Sequence, residues 1–406
     1  MEHAPTGSGD GGRAAQLDRR PPGDVFDLLA GIRVLDLTTS LAGPYAAMLL
    51  ADLGAEVVKV ERPGAGDDAR HWGPPFLDGD GLWFMSVNRN KRSLALDYAN
   101  VEGRQVLERL LDRADVLIVN LRPSVQRKLG LDSETLQPLH PRLVHCSITG
   151  FGLTGPNAEL PCYDLVAEGY SGVMELTGAP ESGPQKIGAP AADLLAGMDS
   201  AFAVVAALFD RQRTGKGHAV DVSLVESMTR FMGPRIVPAA ASGEYPRRTG
   251  ARDSVIAIYQ VFDTADGEIT LGLGNDRIFQ RFCEAVGRPE WVREERYSTN
   301  ARRRAVREEL VGMIQEVLRQ RTRREWLELF LARGVPAGPI NGLESLLEDP
   351  HLRERGLFYA IPSDRGPIPQ VGSGWRLDGR PNGYASPPPR LGEHSEEVLS
   401  RWLADD

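Results

Sequence analysis

Cysteine is scarce. The chain has three in 406 residues, Cys146, Cys162 and Cys283, and no CxxC pair. That excludes a disulfide framework and a thiolate metal site, and it fits a reducing, cytoplasmic setting with mostly buried thiols. The seven histidines show no HxH or HExxH spacing, so no metal is expected and a Ser-His-Asp triad has no support. "GYSGV" (169–173) misses the last glycine of a nucleophile elbow. Basic excess is also missing. The net charge of −9 argues against broad nucleic-acid binding, while leaving room for an anion held by local cations. No apolar run stands out as long enough for a bilayer, so no membrane is expected. Two phosphate-loop signals fail as well. The turn "TTSLAGP" has one glycine instead of G-x-G-x-x-G, and "RTGKGH" lacks the earlier glycine and the hydroxyl of a Walker motif. The latter reads as a polar helix-to-strand turn.

What is present is an ordinary globular composition, 41% hydrophobic and 25% charged, in a chain long enough for two domains. Residues 1–23 are polar and glycine-rich, lack the apolar core of a secretory signal, and read as a disordered tail. "IRVLDLT", "AGPYAAMLLADLG" and "AEVVKVE" form strand, helix and strand, a βαβ unit that implies a parallel sheet. "KRSLALD", "DVLIVN", "PRLVHCSITGFG" and "HAVDVSL" continue it as strands. Residues 24–224 are therefore expected to be a large open α/β domain. Residues 225–256 read as a linker. The hairpin pattern of "AIYQVFDTADGEITLGLG" and the helices after it give a small α+β domain over 257–333. Residues 334–406 are expected to lead back to the large domain and complete it. No internal repeat is found.

Two stretches raise the question of chemistry. "GAPAADLLAGM" (188–198) sets Asp193 among small and apolar residues, before Leu194, Leu195, Met198, Ala201, Phe202, Val205 and Leu208 at helix spacing. On position, Asp193 reads as a helix N-cap. It also reads as a nucleophile, kept ionised by the helix dipole and given room by its small neighbours. "NRNKRSLALD" crowds Arg89, Lys91 and Arg92 at a strand entrance, either as a solvated surface or as an anion site. Further cations, Arg62, Arg122, Arg127 and Lys128, fall near strand ends or the loops after them, where open parallel sheets bind ligands.

These blocks, in order from Gly31 to Leu403, resemble the class III coenzyme A transferases, the family of formyl-CoA transferase, carnitine CoA-transferase and α-methylacyl-CoA racemase. The resemblance rests on "GIRVLDLTTSLAGPYAAMLLADLGAEVVKVERPGAGD", "NRNKRSLALD", "GFGLTGP", "YDLVAEGYSGVMELTG", "RTGKGHAVDVSLVES", "GVPAGPIN" and "LGEHSEEVL". It implies a Rossmann-like large domain, a small domain and two chains threaded through one another as a homodimer. It places the nucleophile on Asp193, which would form a mixed anhydride and then an aspartyl-CoA thioester. It implies coenzyme A contacts at Ser40, Leu41, Ala42, Arg62, Leu96, Asp97, Asn120, Leu121, Arg122, Lys128 and Tyr163, with acyl-CoA as substrate and no permanently bound cofactor. Lys128 stands where the family usually has arginine, which loses a bidentate fork. Asp164 could line the active site or be structural.

Two departures narrow the reading. The racemase histidine aligns with Tyr163, which argues against racemisation. The small domain lacks the tetraglycine loop of formyl-CoA transferases. The expected function is coenzyme A transfer to a carboxylic acid, with a dicarboxylate such as succinate as one candidate. An intramolecular transferase or a racemase of the same family is the alternative. A nicotinamide-dependent oxidoreductase is disfavoured by the missing glycines, and a silent coenzyme A-binding subunit by the intact Asp193.

Overall fold

Parallel neighbours need a crossover, so strands separated by helices build a sheet covered on both faces. In the computed structural model, which describes residues 17–23 and 25–404, six strands do this. They are β1 (Arg33–Asp36), β2 (Glu56–Glu61), β3 (Lys91–Ala95), β4 (Val116–Val119), β5 (Val144–Thr149) and β6 (Ala219–Ser223). All pair in parallel, in the order β3-β2-β1-β4-β5-β6. This is the doubly wound order, in which successive strands are added first to one side of β1 and then, from β4 on, to the other. Such sheets open a crevice there, at the carboxyl ends of the strands.

The helices of this layer are α1 (Ala42–Asp52), α2 (Val101–Leu111), α3 (Pro123–Leu129), α4 (Asp164–Ser171), α5 (Ala191–Thr214) and α6 (Leu224–Phe231). Gly54 (φ 97) follows α1 where the chain turns, and a Cβ there would meet the Phe26 carbonyl. The two faces of the sheet differ. On one, Leu35, Leu37, Val58, Val60, Leu94, Leu117 and Val119 pack with Leu107, Leu110 and Leu111 of α2. On the other, the register sets Asp36 beside Lys59 and Lys59 beside Ser93, all fully buried.

The chain divides into two compact units. The first holds this sheet and covers residues 1–171, 187–233 and 349–406. Its last part includes the hairpin Phe358–Ile361 with Ile368–Val371 and a closing helix, Ser395–Trp402, whose Val398 and Trp402 join the apolar face of the sheet. The expected tail lies mostly outside the described residues. Within it, the Arg20 guanidinium donates to the carbonyls of Gly356 (2.7 Å) and Asn382 (2.9 Å). The second unit covers residues 172–186 and 234–348. Tyr259–Asp263 and Glu268–Gly272 form the expected hairpin, and Ala337–Pro339, inside "GVPAGPIN", adds a third antiparallel strand. Phe262, Ile269, Phe279, Phe282, Trp326 and Phe330 are in its core.

One expectation fails here. α5 spans 24 residues with a mean hydropathy of 1.7 in its most apolar stretch, long and apolar enough to cross a membrane by length and composition. Half of that stretch is buried within the fold. Ala192, Ala196, Ser200, Val204 and Leu208 are buried at helix spacing, as in a core helix.

Candidate active site

The crevice is built around the loop after β1. Ser40 takes a left-handed backbone (φ 72), which costs a non-glycine residue free energy and persists only where neighbours enforce it. Three groups do so. The Ser40 N–H donates to Asp67 Oδ1 at 2.9 Å. The Asn120 side chain, at the end of β4, brackets Thr39: its Nδ2 donates to the Thr39 carbonyl (2.8 Å) and its Oδ1 accepts the Thr39 N–H (3.2 Å). Lys59 Nζ donates to the Thr38 carbonyl at 2.7 Å and pairs with Asp67 at 2.8 Å. A buried ion pair and an amide thus hold the loop at the point where the strand order reverses.

Asp193 is not an N-cap. α5 begins at Ala191 with Pro190 as its cap residue and no side-chain cap, so Asp193 lies within the first turn. Proline has no N–H for a third-position carboxylate to accept in a capping box. The cap comes instead from Asp164 at the start of α4, whose Oδ1 accepts the N–H groups of Ala192 (2.8 Å) and Asp193 (3.3 Å). The Asp193 side chain is buried, with a relative exposure of 9%. Burial, and then the Asp164 carboxylate beside it, raise its carboxyl to about 7. Cys162, nearby, is pushed up to about 11 by burial and by both aspartates, so it is a thiol at neutral pH.

Two adjoining clefts open here. One, of about 260 Å³, is lined by Ser40, Ala42, Asn120, Arg122, Tyr163 and Asp193 among others. The second, of about 280 Å³, is lined by Arg62, Tyr98, Asn120 and Leu121. Thr39, Asp68 and Asn120 belong to both. Leu41, Leu96, Asp97 and Lys128 line neither. Leu41 is buried and its carbonyl accepts the Tyr45 N–H. Leu96 packs against the apolar face of the sheet. Asp97 accepts from Ala99 N–H and Asn100 Nδ2, both at 3.1 Å. Lys128 is exposed in the last turn of α3, beside Arg127, which pairs with Glu159 at 3.0 Å.

The anion-site reading of "NRNKRS" is overturned. Arg89 is buried against Asp52 (2.5 Å), Lys91 against Asp36 (2.8 Å), and Arg92 pairs with Glu56 (3.3 Å) and Glu397 (3.0 Å). Cations already neutralised by carboxylates have little charge left for a phosphate. The sequence reading also missed Lys59, Asp67 and Asp68. The only available signal was the position of "KVERPGAGDD", which ends a strand and runs into a loop but does not show its partners.

A doubly wound sheet, a crevice where its strand order reverses, and a buried carboxylate that lines this crevice together with Arg122 define an α/β enzyme that acts on an anionic ligand. The chain belongs to CoA-transferase family III, whose model matches residues 29–395, and it is an enzyme that transfers coenzyme A. It is 40% identical to the succinate–glutarate CoA-transferase of Agrobacterium fabrum, covering 94% of this chain and 96% of that one. It is 36% identical to the succinyl-CoA:glutarate CoA-transferase of Homo sapiens, covering 98% and 92%. Among solved structures it is similar to a CAIB/BAIF family protein from Brucella suis, with 38% identity, a TM-score of 0.80, and 92% and 99% coverage.

Proposed function

We propose that this chain moves coenzyme A from succinyl-CoA to a second dicarboxylic acid of glutarate type, and that Asp193 carries the reaction covalently. The substrate class is supported by the named activities of the relatives and by Arg122, which faces the Asp193 cleft and has no ion-pair partner among the described residues. The chemistry is carried by one observation, a buried carboxylate without a cation, raised to about 7. Such a group is more basic than an ordinary aspartate, yet still ionised in part at neutral pH.

In the first step an Asp193 carboxylate oxygen attacks the thioester carbonyl. The C–S bond breaks, giving an aspartyl–acyl anhydride and the coenzyme A thiolate. The thiolate attacks the aspartyl carbonyl, forming an aspartyl thioester and releasing the first acid as its carboxylate. The acceptor carboxylate attacks that thioester, forming a new anhydride and freeing the thiolate again. Finally the thiolate attacks the acceptor's carbonyl, releasing the new acyl-CoA and the free Asp193 carboxylate. Splitting one exchange into shorter steps is the gain of covalent catalysis. Ser40, Ala42, Asn120, Arg122 and Tyr163 in one cleft, and Arg62 and Leu121 in the other, are the proposed coenzyme A contacts.

The test is incubation with succinyl-CoA and hydroxylamine, followed by mass analysis of the peptide containing residue 193. A hydroxamate at Asp193 is expected, and none is expected without the thioester. Labelled hydroxamate elsewhere, or none at all, would overturn the route. A panel of mono- and dicarboxylic acceptors tests the substrate class: turnover of monocarboxylates equal to that of glutarate would remove the dicarboxylate reading.

The homodimer belongs to the same proposal. Phe202 (77% exposed) and Phe209 (81% exposed) lie on α5 with Met198, and Leu165 and Val166 on α4 are also exposed. Apolar side chains of this size left open favour a protein partner, and a second, threaded copy is the proposed one. Sedimentation should show a dimer at every measurable concentration, and a monomer at any would refute a threaded pair.

A further inference from the structure

Asp164 stands next to the proposed nucleophile and has no role yet in the reaction. It opens α4, and its Oδ1 accepts the N–H groups of residues 192 and 193. A carboxylate in the first turn of a helix ordinarily takes those N–H groups itself, and both they and the dipole then stabilise its anion. In α5 that route is closed. Pro190 has no N–H, Leu194 donates within the helix to the Pro190 carbonyl at 3.1 Å, and Asp164 occupies the N–H groups of 192 and 193. Among the described residues, none donates a hydrogen bond to the Asp193 carboxylate. Its lone pairs stay free for attack.

We propose that Asp164 is a positioning residue for coenzyme A transfer: it caps α5 in trans, fixes Asp193 at the cleft, and denies the Asp193 carboxylate the backbone donors that would blunt it. The proposal deepens the nucleophile reading of Asp193 and rests on it. The other titratable or charged groups around this site are few. Glu168, one turn along α4, accepts the Ile187 N–H at 2.9 Å. Cys162 and Tyr163 precede α4, Asp68 and Arg122 line the cleft, and Tyr45 faces α5 from α1. Cys146 lies on β5 and Asp221 on β6. Asp199 and Arg230 pair between α5 and α6. Arg230 is thus committed elsewhere, which leaves Arg122 as the cation that lines the Asp193 cleft and Asp164 as the acid that faces Asp193 directly.

The experiment compares Asp164→Asn with Asp164→Ala. Asparagine keeps an acceptor oxygen for the two N–H groups and removes the charge. Its kcat/KM profile should keep its shape while the acid limb moves down by about one pH unit, the size of a like-charge interaction between neighbouring carboxylates. Alanine frees the N–H groups for Asp193. Its kcat should fall about tenfold or more, with a smaller change in the KM for succinyl-CoA. If alanine prevents folding, Asp164→Leu, which fills the same space without an acceptor, carries the kcat comparison against asparagine. An acid limb in Asp164→Asn superimposable on that of the wild type would overturn the proposal, as would an alanine or leucine variant of wild-type kcat. Hydroxylamine trapping separates the two failures. No hydroxamate at residue 193 in the wild type removes the nucleophile reading and this one with it, whereas a hydroxamate together with an unmoved limb removes this one alone.

Discussion

Asp36 and Asp193 are both buried aspartates in the same compact unit, and their surroundings drive them in opposite directions. At Asp36, burial alone would raise the carboxyl, but Lys91 and then Lys59, with hydrogen bonds from Lys91 and Thr38, outweigh it and bring it to about 2. At Asp193, burial acts in the same sense with no cation to oppose it, Asp164 adds to it, and the carboxyl rises to about 7. Burial is common to both, so burial does not mark the reactive acid. The counter-charge does. Asp36 is committed to Lys91, which also donates to the Pro44 carbonyl (2.7 Å) and Asn88 (2.8 Å), and so ties the sheet to the start of α1. Asp193 is committed to nothing, and it faces a cleft. A perturbed carboxylate in a cleft is a candidate for chemistry, while one within a closed ion-pair network belongs to the structure.

The sharpest way to break this comparison is to neutralise each acid in turn. Asp193→Asn should lose coenzyme A transfer by at least about 10³-fold, since losing a nucleophile removes the covalent route. Its stability should change the other way. The folded carboxyl lies above its unfolded value near 4, so between about pH 4 and 7 the folded state binds more protons, and wild-type stability falls as pH rises. The loss is complete above about pH 7 and amounts to roughly 4 kcal/mol. Urea denaturation at pH 5 and at pH 8 should show a drop in the wild type that Asp193→Asn abolishes. An asparagine variant that transfers coenzyme A at a comparable rate, or that keeps the full drop, would refute the contrast.

Asp36→Asn and Lys91→Met should do the reverse. Each leaves a charge buried without its partner, which costs about 3–5 kcal/mol, while the activity per folded molecule changes little. The pH sign is also opposite. The Asp36 carboxyl is held below its unfolded value, so its contribution, roughly 2 kcal/mol, is present above about pH 4 and is lost as pH falls through about 2. Denaturation midpoints read the first effect, and acid titration of the wild type against Asp36→Asn reads the second. A variant as stable as the wild type would show that Lys91 is not the group that holds Asp36.

The sequence shows one side of this comparison far better than the other. The βαβ start, the later strands and Asp193 are legible, because period-two runs, helix spacing and the ordered family blocks are local signals. The buried charges are not. In "EVVKVE", Val57, Lys59 and Glu61 fall on one side of the strand, a pattern that reads as a wet face. The sheet buries it because Asp36 and Lys91 arrive from the neighbouring strands and Asp67 folds back from the loop after β2. "NRNKRS" misleads for the same reason: Asp52, Asp36 and Glu56, which neutralise it, lie well upstream in the chain. The sequence points to Asp193 as the cap on α5 because a cap is normally local. Here it is Asp164, 28 residues from Ala192. Local chemistry is written in the sequence; long-range pairing of charges is written in the fold.

The smallest expected effects extend the comparison to exposed cations. Arg122 has no ion-pair partner among the described residues, whereas Arg62 meets Asp68 at 2.8 Å with both side chains more than half exposed. A free guanidinium in a cleft loses nothing when an anion arrives, and a charge-assisted hydrogen bond is worth about 1.5–3 kcal/mol. Arg122→Ala should therefore raise the KM for succinyl-CoA about tenfold or more and lower kcat less, since the same anion is held in the ground and transition states. Arg62 must share itself with Asp68, although an exposed pair is worth only about 0–1 kcal/mol and hardly resists exchange. Arg62→Ala should raise KM about two- to fivefold, and added salt should shrink that difference because both groups are open to screening. Steady-state kinetics at low and high salt measure both variants together. If Arg62→Ala proves the more damaging and its effect withstands salt, the anion sits in the Arg62 cleft and is desolvated there. The exposed pair with Asp68 would then give way to a buried contact on binding, and a cation's burial with its ligand, not its freedom beforehand, would decide how much it holds.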